Sequence, residues 1–155
     1  MGIIITGIVA TLIFDLWGLV ISRIMGTPGP AWGLPGRWFA QIAKGRVFHD
    51  DIAAVPPVRS EAAIGWSLHY AIGVLYAAIL PAISPGWLDA PTLAPALIVG
   101  IVTVAAGWFV MSPGMGNGIA ASRAPNPWKV RGLQLAAHVV FGIGLWIGGL
   151  LQNVA

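Results

Sequence analysis

The sequence predicts an all-α integral membrane protein, with four transmembrane helices in an antiparallel bundle and a short interfacial helix in the first cytoplasmic connection. Three observations predict this. Four apolar runs, at about 3–25, 62–83, 93–111 and 133–154, can each cross roughly 30 Å of hydrocarbon at about 1.5 Å per residue. Only 8% of the 155 residues are charged and 57% are hydrophobic, where a soluble domain carries about 25% charged residues. The eight basic residues lie in or beside two of the three connections, as topology signals do. The chain reads as one transmembrane domain, 1–155, with a mean hydropathy of +0.85. The absence of cysteine excludes disulfides, thiolate nucleophiles and iron–sulfur ligation.

The first run starts almost at Met1, with neither a basic leader nor a small-residue cleavage site, so it is read as a retained span. Glycines 2, 7 and 18 suit close helix approach. The Gly26-Thr27-Pro28-Gly29-Pro30 segment stops the helix. In the long first connection, Arg37 to Lys44 puts Trp38, Phe39 and Ile42 on one side and basic ends on the other, which suits a helix in the headgroup layer. His49-Asp50-Asp51 has metal-ligand chemistry, but three adjacent loop residues rarely converge on one ion, so a solvated loop is expected.

The second span ends at Pro81 and the Ser84-Pro85-Gly86-Trp87 turn, and Pro95 falls in the first turn of the third, where proline is tolerated. The third connection, 112–132, is rich in glycine. Gly114, Gly116 and Gly118 permit positive φ, and with Arg123 they form a candidate anion nest; a plain turn is the alternative. No Walker-type lysine follows. His69-x3-Gly73 and His138-x3-Gly142 form a weak internal repeat.

Arg23, Arg37, Lys44, Arg46 and Arg59 mark the first connection, and Arg123, Lys129 and Arg131 the third. By the positive-inside rule both are cytoplasmic and both termini face outward. The net charge of +3 therefore reads as topology, and nucleic-acid binding is not expected. The partner is the lipid bilayer, with a homodimer or a larger membrane complex as the expected assembly.

Asp15 sits near the middle of the first span, where a carboxylate costs roughly 2.5–3.5 kcal/mol on the translocon scale. Counting residues places Asp15, His69 and His138 about 2, 5 and 7 Å to the cytoplasmic side of the midplane, a candidate buried polar site with Thr103 and Gly107 on the remaining helix. Such a site could relay protons in a small-molecule transporter or exporter. It could hold zinc or iron through Asp15, His69 and His138. It could instead bind haem b between the two histidines, with the glycines four residues on making room for the macrocycle. Each residue also has a plain structural reading, as a polar lock between helices.

Asp15-Leu16-Trp17, Gly65-Trp66-Ser67-Leu68-His69-Tyr70, Pro113-Gly114-Met115-Gly116 and Ala120-Ala121-Ser122-Arg123 resemble an uncharacterised bacterial inner-membrane family, a domain of unknown function. The resemblance covers nearly the whole chain and implies a four-helix bacterial membrane protein, with no activity or substrate attached. An acid in the first of four helices is also superficially similar to the small multidrug-resistance exporters, but the two histidines and the long first loop depart from that pattern. Neither Ser/His/Asp nucleophile geometry nor facing carboxylates are visible. The sequence thus reads as a non-catalytic membrane protein, perhaps best described as a subunit, with transport and cofactor binding as alternatives.

Overall fold

A computed structural model describes residues 1–153. Four helices are long and apolar enough to cross a membrane: α1 (Gly2–Met25), α3 (Glu61–Ile83), α4 (Leu93–Gly114) and α5 (Pro127–Gln152). A short helix, α2 (Gly33–Ile42), lies in the first connection. The described residues contain no strand. The chain is a multi-pass membrane protein. Its contacts gather into two compact units interleaved along the chain, a division that hydropathy alone does not reveal.

The helix ends follow local chemistry. At the end of α1, Gly26 adopts φ 63°; its N–H bonds Arg23 O, and Thr27 N–H bonds Ser22 O at 2.9 Å, the Schellman arrangement. The last span starts six residues earlier than 133, at Pro127. Asn126 caps it through Lys129 N–H at 3.1 Å, and proline suits the first helical position. Pro81 lies inside α3, which runs on to Ile83. Towards its end α4 widens into a π-helical stretch, Gly107–Met111, with Ser112 N–H reaching Gly107 O. The looser turn precedes Pro113, whose ring would clash with the carbonyl four residues back in a regular helix.

The first unit comprises Met1–Pro30, Tyr70–Thr103 and the described residues from Leu135. Within it α1 is sorted in reverse of a soluble helix. Thr6, Gly7, Ala10 and Thr11 are buried, while Ile4, Ile8, Leu12, Leu16 and Leu19 are exposed. Lipid is as apolar as leucine, so large aliphatics gain little by packing inward, whereas small residues let backbones meet. A Cβ on Gly7 would lie 2.8 Å from Val74 N, and one on Gly100 would lie 2.6 Å from both Gly142 Cα and His138 O. Gly144 and Gly148 approach α1 at Ala10 and Thr6, each with a Cα 2.8 Å from where the Cβ would stand. Leu80, Trp87, Phe141 and Leu145 fill the core beside these contacts.

The second unit comprises Ala31–His69 and Val104–Gln134. Its small core is Trp38, Ile52 and Met115. Here the basic-ends reading of α2 is corrected: Arg37 is buried, as are Trp38 and Gln41. Arg37 grips Glu61 with Nε and Nη2 at 2.8 and 2.9 Å, and Nη1 donates to the carbonyls of Val55 at 2.7 Å and Ala53 at 3.2 Å. These bonds to Glu61 raise the Arg37 pKa above its ordinary value, so the guanidinium stays charged. Its five-donor fork satisfies several acceptors at once, which a solvated topology charge would not do.

Two stability tests follow, both read by thermal unfolding in detergent. Gly100→Ala should destabilise by about 1–3 kcal/mol through overpacking, whereas Gly132→Ala, with open space around it, should be neutral or slightly stabilising. Arg37→Lys keeps the charge but loses the fork, and should lower the melting temperature. Arg37→Gln should lower it further, and Arg59→Gln, at an exposed position, should leave it unchanged.

Candidate functional site

Asp15 follows Thr11 by one turn of α1, and the Thr11 hydroxyl is already committed to Gly7 O at 2.8 Å. The Asp15 carboxylate accepts a hydrogen bond from the Tyr70 phenol at 3.0 Å. This partner was not recognised in the sequence. Its one signal is adjacency to His69, which gives it nearly the same depth, but depth along a helix says nothing of the direction a side chain takes.

His138 lies in the same unit as Asp15. Its Nδ1 is 3.0 Å from Gly100 O and 3.3 Å from Thr103 Oγ1, and the Thr103 hydroxyl donates to Gly100 O at 2.8 Å. A carbonyl only accepts, so Nδ1 carries the proton and the neutral ring keeps its lone pair on Nε2. Phe14, next to Asp15 in α1, meets the imidazole edge-on at 5.7 Å. Thr103 thus takes part in the polar layer, as its position in the third span suggested. For Gly107, nothing lies within 4 Å of where a Cβ would stand.

His69 belongs to the second unit. It stacks on Trp32 with centroids 3.8 Å apart and an interplanar angle of 20°, and meets Trp66 at 5.9 Å. Among the described residues, no group of three or more His, Asp or Glu side chains is arranged to hold a metal ion. The glycines expected to admit a macrocycle are filled by neighbouring helices. A Cβ on Gly73 would meet the Thr11 hydroxyl and, at 3.3 Å, Gly7 O; one on Gly142 would meet Ala96 O and Leu97 Cα at 3.0 Å. They serve helix contact.

The two connections of the second unit are sewn together along their backbones. His49 N–H bonds Gly114 O at 3.0 Å, with its ring Nδ1 3.1 Å from the same oxygen, and Ile52 N–H bonds Met115 O at 3.1 Å. Asp51 caps the short 3-10 turn Ile52–Ala54 through Ala53 N–H at 2.8 Å. The His-Asp-Asp stretch is therefore folded structure, not a freely solvated loop. The glycines of the proposed nest divide in role. Gly114 lies against the Trp38 indole, and Gly116, at φ 92°, lies against the Asp50–Asp51 backbone. Gly118 and Arg123 instead line a cavity of about 540 Å³. Beside it Ala120 and Ala121 hold φ of 50° and 56°, a left-handed conformation costing roughly 1–2 kcal/mol per residue. Arg131 Nε on Ala120 O at 2.8 Å and Ser112 Oγ on Ala121 N at 3.0 Å keep them there.

Residues 4–152 match the model of a family described as "Protein of unknown function (DUF2938)". The chain belongs to that family. No curated protein and no solved structure matches it. The DUF2938 match takes in Asp15, Tyr70, His138 and the walls of the cavity alike, so none of these features lies in a segment foreign to the family.

Two substitutions test the polar contacts of the first unit. Tyr70→Phe and Thr103→Val should each cost about 0.6 kcal/mol, the average of an interhelical hydrogen bond in a membrane protein. Reversible unfolding in mixed micelles measures both. A cost near zero for Tyr70→Phe would mean that the phenol adds nothing to holding α1 and α3.

Proposed function

We propose that the protein works in the bacterial inner membrane as a proton-linked transporter or exporter of a small molecule, with Asp15 as the group that gains and loses the proton. The observation that carries this reading is the hydrogen bond between Asp15 and Tyr70 inside two membrane-spanning helices. A phenol suits both states of the acid. Its O–H donates to the carboxylate, and its oxygen accepts from the carboxylic acid, so protonation leaves neither group stranded in the apolar layer. Intramembrane carboxylates in general mark proton and ion pathways. His138, with Nε2 carrying a lone pair, is a second proton acceptor in the same unit and serves as the relay partner. His69 completes the proposed relay. The basic connections face the cytoplasm and both termini face outward, as the charge distribution favours.

A structural role, as a subunit of a homodimer or a larger membrane complex, is the second reading. The glycine contacts of the first unit favour it, because helices joined backbone to backbone make a firm scaffold. Infrared difference spectroscopy on reconstituted protein separates the two. Under the proton-linked reading, a pH step produces a protonated-carboxyl C=O band that is absent in Asp15→Asn and shifted in Tyr70→Phe. A spectrum of Asp15→Asn identical to wild type would discard Asp15 as the proton carrier and leave the structural reading.

A further inference from the structure

The cavity between the two connections of the second unit has no part in that reading, yet it is built as a binding site. It encloses about 540 Å³, within the range of small-molecule pockets. Two opposite charges line it, Asp50 on one wall and Arg123 on the other, with Ser122 beside the arginine. They are not joined to each other, since Arg37–Glu61 is the ion pair among the described residues. Both are held in place. Asp50 is pinned on either side by the bonds from His49 and Ile52 to Gly114 and Met115. Arg123 is fixed by its N–H on Asn117 O at 3.0 Å, and its guanidinium reaches only Gly116 O, at 3.3 Å. An acid and a base facing one cavity without neutralising each other are complementary to a ligand that carries both charges.

The rim narrows the choice. Phe48 and Ile119 line the same cavity and are 74% and 59% exposed. Apolar side chains left open beside a charged pocket, in connections that join membrane helices, suit a ligand whose charged end continues into glycerol and acyl chain. The guanidinium fork and the Ser122 hydroxyl match a phosphate. On the opposite wall the Asp50 carboxylate calls for N–H donors, and the buried Nε2 of His49, on the ring whose Nδ1 bonds Gly114 O, stands without a partner. A primary ammonium has such donors; a quaternary one has none and prefers aromatic cages. We infer that this cavity binds a phosphate–ammonium zwitterion of the phosphoethanolamine type, the headgroup of an aminophospholipid, with phosphate on Arg123 and Ser122 and ammonium on Asp50.

The test uses the full chain in detergent and calorimetric titration with four probes: short-chain phosphatidylethanolamine, phosphatidylcholine, phosphatidylglycerol and soluble O-phosphoethanolamine. The ethanolamine lipid should bind at least about tenfold more tightly than the choline or glycerol lipid. Asp50→Asn should weaken the ethanolamine lipid about tenfold while leaving the glycerol lipid unchanged or tighter, and Arg123→Gln should weaken both lipids. Both residues are exposed, and unchanged melting temperatures confirm intact folding; should Arg123→Gln unfold, Asp50→Asn decides alone. Soluble phosphoethanolamine binding as tightly as the lipid would support the charge recognition and assign a soluble source. Weak binding of the soluble probe would assign the membrane lipid. Equal affinity for the ethanolamine and glycerol lipids, or an Asp50→Asn variant with undiminished ethanolamine binding, would overturn the inference.

Discussion

Hydrocarbon rewards a helix neither for burying leucine nor for exposing serine, and the first unit of this protein is built around that indifference. Its helices meet through Gly7, Gly100, Gly144 and Gly148, where the backbones themselves are the contact surfaces. The large aliphatics of α1 are turned outward to the lipid. Dispersion between closely approached backbones replaces the hydrophobic effect as the attractive term, and it acts only over short distances. Hydroxyls such as Thr11 and Thr103 can be admitted to this interior because each returns its proton to a carbonyl of its own helix. The same close approach sets the scene for Asp15, which stands where α1 and α3 are near enough for a phenol to reach it.

The second unit answers to different physics. Its connections contain peptide groups that no helix satisfies, and Arg37 gathers several of them. One guanidinium closes the Ile52–Val55 carbonyls over α2 and ties them to Glu61, the first residue of α3. With that segment fixed, the His49–Ile52 backbone can run beside Gly114 and Met115, and the cavity has walls.

The four spans were legible because hydropathy is a property of segments and survives ignorance of packing. Their ends were less so: the last helix takes in Trp128, Lys129 and Arg131, polar residues that an apolar window rejects, although Asn126-Pro127 is a readable start signal. Asp15 was conspicuous as a charge in an apolar run, and Tyr70 was not, because adjacent helical residues point about 100° apart and depth does not resolve direction. Arg37 was misread for a related reason. Charge counts treat every arginine as solvated, and only its neighbours show that this one holds a fold together. The glycines of the third connection suggested an anion nest, but glycine frequency cannot separate a backbone opened to a ligand from one pressed against Trp38.

The π-helical stretch at Gly107–Met111 has a further meaning for how this chain could change length. A π turn is an α-helix carrying one surplus residue. Deleting a single residue there would restore regular pitch and rotate all that follows by about 100°, bringing Pro113 against an intact helical turn and swinging Ser112 away from the loop it anchors. Most of the chain tolerates exchange of one apolar residue for another, but here the count of residues matters more than their identity.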